Sequence, residues 1–177
     1  MRRLSLALSA ALLAAATVPA AFGQAPAPAA PPAPSGANPW VQGAPFPEAS
    51  EEVLGATAAG KLYVFAGLAP GWKPKAMVFE FDPASNQWTK KRPMRLPSHH
   101  VAFTTLNNKI YAFGGFNLPE TGAPAWNALD KSWEYDPATD EWKELAPMPT
   151  KRGAASAAAA GGKIYVTGGA ASLPGVT

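Results

Sequence analysis

The sequence predicts an all-β protein built from propeller blades, and three observations carry that prediction. A strand-and-glycine motif recurs as "GKLYVFAG" at 60–67, "NKIYAFGG" at 108–115 and "GKIYVTGG" at 162–169. A turn motif recurs as "FDPASNQW" at 81–88 and "YDPATDEW" at 135–142. The spacings agree: Tyr63, Tyr111 and Tyr165 are 48 and 54 residues apart, and Asp82–Asp136 and Trp88–Trp142 are both 54 apart. Units of about 50 residues that each contain several short strands stack as blades around an axis.

The first element is not part of that fold. Arg2 and Arg3 precede an apolar run from Leu4 to about Val18. Small residues at Ala21, Gly23 and Ala25 suit signal-peptidase cleavage after Gly23 or Ala25. The run is Ala-rich and shorter than the roughly 20 residues that span a bilayer, so a leader is expected rather than an anchor. Residues 1–25 are read as a signal peptide of bacterial form, which predicts a periplasmic or secreted protein. Residues 26–38 are an Ala/Pro linker, with no large side chains to repay ordering. The propeller is expected over 39–177. The whole chain carries a net charge of +3, and loss of the leader with Arg2 and Arg3 leaves +1. Such a balance gives no case for nucleic acid as a partner. With no cysteine, disulfides, thiolate metal sites and thiol nucleophiles are excluded.

Within the blades, "HVAFTTL" (100–106) and "KIYAFGG" (109–115) read as a hairpin around Asn107-Asn108, a pair that tolerates positive φ. "KSWEYDP" (131–137) is the third strand, Asp136-Pro137 opens a tight turn, and "EWKELA" (141–146) is the outer strand. The same register predicts strands near 53–58, 61–66, 76–82 and 86–92 in the first repeat, and near 153–160 and 163–168 in the third. "PWVQGAPFP" at 39–47 echoes "EWKELAPMP" at 141–149, so a lone outer strand is expected at Trp40.

These residues resemble the Kelch repeat: a glycine pair closing a strand, a tyrosine before Asp-Pro, and a tryptophan six residues after the Asp. The glycine positions are Ala66-Gly67, Gly114-Gly115 and Gly168-Gly169; the others are Tyr135 (Phe81 in the first repeat), Asp82 and Asp136, Trp88 and Trp142. The resemblance implies Kelch-type blades, about two and a half of them. It also implies an N-terminal strand at Trp40 that closes the last blade. A closing partner for that strand would lie beyond residue 177, so the chain, an incomplete ring, is expected to be the N-terminal part of a longer protein; the alternative is a natural short form that assembles as an oligomer. An open inner strand recruits other chains, and self-association is expected if the chain is truly this short.

The long loops at 67–76 and 116–129 and the blade-to-blade connections share one face, where function is usually placed. Counting thirteen residues back from each strand tyrosine gives Ser50, Ser98 and Arg152. The resemblance puts that position at the mouth of the central channel, with Glu51, Glu52, His99 and His100 one and two steps further in. The histidines read as an acid/base or metal pair, or as structural residues. Adjacent side chains on a strand point to opposite faces, which favours the structural reading, and no metal or cofactor is expected. Trp72 and Trp126 read as sugar-stacking platforms or as loop anchors. Lys90, Lys91, Arg92 and Arg95 read as an anion patch or as a solvated edge. Catalysis is not expected within this segment. The favoured function is a binding module for a protein or glycan. The alternative is a carbohydrate-active propeller enzyme such as a sialic-acid mutarotase, which the resemblance brings in without a residue-by-residue match.

Overall fold

The computed structural model describes residues 40–119 and 126–171. The proposed leader and linker lie outside the described residues. The chain divides into a unit of residues 1–40 and a unit of residues 41–177, and every strand among the described residues lies in the second.

The first blade consists of β1 (Leu54–Ala58), β2 (Lys61–Phe65), β5 (Val78–Asp82) and β6 (Gln87–Lys90), hydrogen-bonded in that order. Between β2 and β5 lies a small ladder of β3 (Leu68–Ala69) and β4 (Lys73–Pro74). The second blade repeats the plan with β7 (Ala102–Leu106), β8 (Lys109–Phe113), β11 (Ser132–Asp136) and β12 (Glu141–Glu144). Its own small ladder is β9 (Phe116–Asn117) with β10 (Asn127–Ala128). A third sheet pairs β13 (Gly153–Ala160) with β14 (Lys163–Ala170). All neighbouring strands are antiparallel, and no helix occurs among the described residues. The innermost strands β1, β7 and β13 lie side by side, so the sheets follow one another in an open arc.

Local chemistry explains the turns. Asn107 and Asn108 adopt φ of 53° and 60°, the left-handed pair that a two-residue hairpin between twisted strands requires. Asp82 and Asp136 each accept the N–H two residues on, from Ala84 and Ala138, at 2.8 and 2.9 Å. The poly-alanine β13 forms although its own strand pattern is weak, because β14 supplies a full eight-residue partner.

Aromatic side chains hold the blades together. Phe65 of the first blade stacks on Phe103 of the second at 4.5 Å and meets Tyr135 and Trp142 edge-on. Tyr63, Tyr111 and Tyr165 occupy one repeat position and are respectively buried, half-buried and exposed. The tyrosine is buried by the next blade, which stands complete only beside the first. On the other face of the first blade, Phe46 packs edge-on against Phe79 and Trp88.

Among the described residues the segment at Trp40 pairs in no ladder, and the first paired strand begins at Leu54. Side chains of the first blade hold the segment's backbone. Asn86 Oδ1 accepts the Ala44 N–H at 2.8 Å, and the Trp88 indole donates to the Ala44 carbonyl at 3.0 Å. The second blade does the same to Arg92, through Asp140 on its N–H and Trp142 on its carbonyl. The two clamps are one repeated device, and the echo between 39–47 and 141–149 falls on the clamped segment.

A charged triad also repeats. Lys61 bridges Glu80 and Asp82, and Lys109 bridges Glu134 and Asp136, at 2.7–3.5 Å. Burial pushes the Glu80 carboxyl up, but the Lys61, Tyr63 and Lys91 side chains outweigh it and hold it below its ordinary value. The Lys109 ammonium likewise holds Glu134 down. Carboxyls with lowered folded pKa contribute stability above the ordinary carboxylate range near about pH 4, and that contribution disappears as pH falls through the folded value. Lys109→Met is therefore expected to be less stable than wild type at pH 7, with the gap closing at a pH well below the ordinary carboxylate range near about 4. Urea titrations at both pH values check this; a gap independent of pH would mean the lysine acts through packing alone.

Candidate functional site

The face that carries the long loops is built on a kink shared by the three sheets. Glu52, His100 and Ala154 adopt φ of 54°, 53° and 55°. Each stands opposite the second residue of a glycine pair, Gly67, Gly115 or Gly169, which also has positive φ. Before the kink, Glu51 bridges Leu68 and His99 bridges Phe116, each by two backbone hydrogen bonds of 2.8–3.0 Å. The loops after the glycine pairs are thus pinned at their first residues by backbone bonds, and the small ladders pin them further on. Close approach explains the second glycine. A Cβ on Gly67, Gly115 or Gly169 would lie 2.7–2.8 Å from the carbonyl of Glu51, His99 or Gly153.

The kink overturns the alternation argument for the histidines. Alternation holds for extended backbone; the left-handed residue at 100 breaks it and swings both imidazoles to one side. His99 Nδ1 lies 2.8 Å from His100 Nδ1 and 3.3 Å from Glu52 Oε2, and His100 Nδ1 lies 3.1 Å from the same carboxylate oxygen. Glu52 comes from the preceding sheet's kink, 48 residues earlier. His99 is fully buried, while the side chains of His100 and Glu52 remain about one-third exposed. Burial depresses the His99 imidazole pKa; the neighbouring His100 depresses it further, against an opposing pull from Glu52. Its Nε2 is buried without a hydrogen-bond partner among the described residues.

Trp126 completes the cluster. Its indole meets the His99 ring edge-on at 4.5 Å and lies 5.8 Å from Phe116. Trp126 is thus anchored on the histidine pair, yet half-exposed. Trp72, on the preceding loop, is 59 % exposed and is not drawn into this cluster.

The remaining expected contacts are placed unevenly. Ser98 is buried, and its hydroxyl donates to the Leu96 carbonyl, so it is not presented to solvent. Ser50 is half-buried and accepts the Lys75 ammonium at 2.8 Å. Arg152 donates to the Gly168 carbonyl at 2.6 Å and to Thr150 Oγ1 at 2.9 Å, so much of its donor fork is spent within its own blade. Glu51 is exposed. Of the basic set, Arg95 donates to the Trp142 carbonyl and Lys90 pairs with Glu48, which fits a solvated edge. Glu52 was expected near the channel mouth beside Glu51, His99 and His100; its pairing with the histidines rests on its place 48 residues before His100.

Two clefts among the described residues lie away from this cluster. One is on the hairpin-turn face beside Lys61, Asn107 and Asp136; another lies between β8 and β14, beside Phe113, Arg152 and Ile164.

Comparison with known proteins identifies the repeat. The model of the Kelch motif matches residues 54–95 and 97–149, more than half of the chain. The chain belongs to the Kelch-repeat family. Similar Kelch proteins include Kelch-like protein 35 of Mus musculus, 30% identical over 132 residues that cover 75% of this chain and 21% of that protein. Kelch-like protein terF of Aspergillus terreus is 33% identical over 141 residues, covering 76% of this chain and 30% of its own length. Among solved structures, that of YjhT superposes with a TM-score of 0.58 at 22% identity, over 73% of this chain and 36% of that one, a likeness of fold. The chain thus spans between a fifth and a third of the length of these curated relatives. The matched segments are the two complete Kelch blades and the connection between them.

Proposed function

We propose that the chain is the binding portion of a periplasmic or secreted Kelch-repeat protein, with its ligand contacts on the long-loop face. The observation that carries this reading is the pairing of rigidity with exposure there. The kinks present His100 and Glu52, and the loop that begins at the Phe116 bridge presents Trp126, from fixed positions, and a preorganised surface loses little entropy on binding. The leader-like residues 1–25 and the linker 26–38 support the localisation and the domain division. If the chain is truly this short, self-association belongs to the same proposal: β14 carries Tyr165 exposed at the position where Tyr63 is buried by the next blade.

The carbohydrate-active reading is favoured by one observation. A carboxylate and an imidazole 3.1 Å apart lie beside a half-exposed indole, a combination suited to stacking a sugar ring against an acid/base couple. A glycan-binding screen of the full-length protein, followed by a mutarotation assay on any hit, separates the two readings. For a glycan hit, Trp126→Ala is expected to weaken binding about tenfold, the loss of one aromatic contact of roughly 1.4 kcal/mol. Unchanged affinity in that variant, with loss on substituting the hairpin-turn face at Asn108, would place the ligand on the opposite face and end the proposal.

A further inference from the structure

We infer that Glu52, His99 and His100 form a binding site for a divalent first-row transition metal of the zinc class. Three donor atoms from two successive kinks form a triangle with sides of 2.8, 3.1 and 3.3 Å. Those are the mutual separations of ligands that share one cation at about 2.0–2.2 Å. Two imidazoles and one carboxylate match the donor preference of zinc, cobalt, nickel or iron, and not the all-oxygen shell that calcium or magnesium takes. This inference is independent of what the long-loop face binds.

The arrangement is built rather than incidental. His99 is fully buried among His100, Phe116 and Trp126, so its ring has little freedom to turn away. His100 and Glu52 are placed by left-handed backbone that recurs at Ala154, where the third sheet supplies no ligand. The kink therefore belongs to the scaffold, and the donors are an addition to it. Without a cation the cluster is poorly served. Two Nδ1 atoms 2.8 Å apart share at most one hydrogen bond. A cation accepts both lone pairs and the carboxylate at once, with the His99 proton then on Nε2. The exposed sides of His100 and Glu52 leave the fourth coordination position open toward solvent, as in zinc sites with three protein ligands and one water.

Isothermal titration of the purified full-length protein with zinc chloride tests this, with cobalt(II) absorption reporting coordination directly. Wild type is expected to bind one zinc ion per chain, with no comparable heat from calcium chloride. His100→Ala and Glu52→Gln are each expected to weaken zinc binding at least about a hundredfold, since substitutions one shell further out already cost 10- to 100-fold. His100→Ala has a ready precedent for folding: alanine occupies the equivalent backbone at 154. Glu52→Gln keeps the shape and decides the matter if the other variant melts early. Absence of stoichiometric zinc binding by folded wild type, equal affinity for calcium, or unchanged zinc affinity in folded Glu52→Gln would each overturn the inference.

Discussion

Trp142→Ala is expected to lower the unfolding free energy by about 3–5 kcal/mol, the usual cost of truncating a buried aromatic. The indole is 6 % exposed and lies 4.9 Å from Tyr135 and 6.0 Å from Phe65. It therefore joins the outer strand of the second blade to the inner strands of the first. Its N–H also holds the Arg92 carbonyl, so the truncation releases the connecting segment as well as opening a cavity. Trp142→Phe separates the two effects, keeping most of the ring volume and losing the hydrogen bond at about 1 kcal/mol. Trp88 is half-buried and packs on Phe46 and Phe81, so Trp88→Ala is expected to cost less than Trp142→Ala. Urea titration reads all three as shifts of midpoint at constant slope. Equal losses for Trp88→Ala and Trp142→Ala would show that the interface between the two complete blades is not the main reservoir of stability.

Gly115→Ala is expected to cost about 2–5 kcal/mol, combining backbone strain with overpacking. Its φ is 96°, and the added Cβ would lie 2.6 Å from Val101 Cγ2 and 2.8 Å from the His99 carbonyl oxygen. The second contact is with backbone, which cannot move without undoing the bridge to Phe116. Gly161→Ala supplies the comparison: φ is 56° with nothing within 4 Å, so only the conformational cost of about 1 kcal/mol remains. Ala66 shows that the first position of the pair is more permissive, since it holds φ of 59° in the native chain. Even so, Gly114 has no such latitude, because a Cβ there would collide with the Arg152 carbonyl. A Gly115→Ala midpoint no lower than that of Gly161→Ala would remove the close-approach argument for the second glycine.

Most strands and turns were legible because they are periodic. The spacings of 48 and 54 residues located β13, whose alanines carry little signal alone, and Asn107-Asn108 announced its hairpin by residue type. The glycine pairs were legible as close approaches. The cluster of Glu52, His99 and His100 was not, because it depends on the sign of one backbone angle. Neither Glu nor His at that position announces left-handed backbone, and alternation pointed the two rings apart. The available hint was the glycine opposite, at 67, 115 and 169. The difference between the two loop tryptophans was equally hidden: Trp126 finds the His99 ring, whereas Trp72 sits at a left-handed turn residue of its own, φ 59°. Asn86 and Asp140 read as ordinary turn residues, and their hold on the preceding segment appears only in three dimensions.

That hold grips Ala44 and Arg92 by main-chain atoms alone, the N–H and the carbonyl. In both segments a proline follows, which keeps the gripped residue extended. The joint is therefore indifferent to the identity of the side chain it grasps, and an alanine and an arginine serve equally. A coupling that recognises only the polymer, and not its lettering, fits whichever unit happens to come before it. Gene duplication can then lengthen or shorten such an array without reinventing the seam, and the side chain at the seam stays free to diversify.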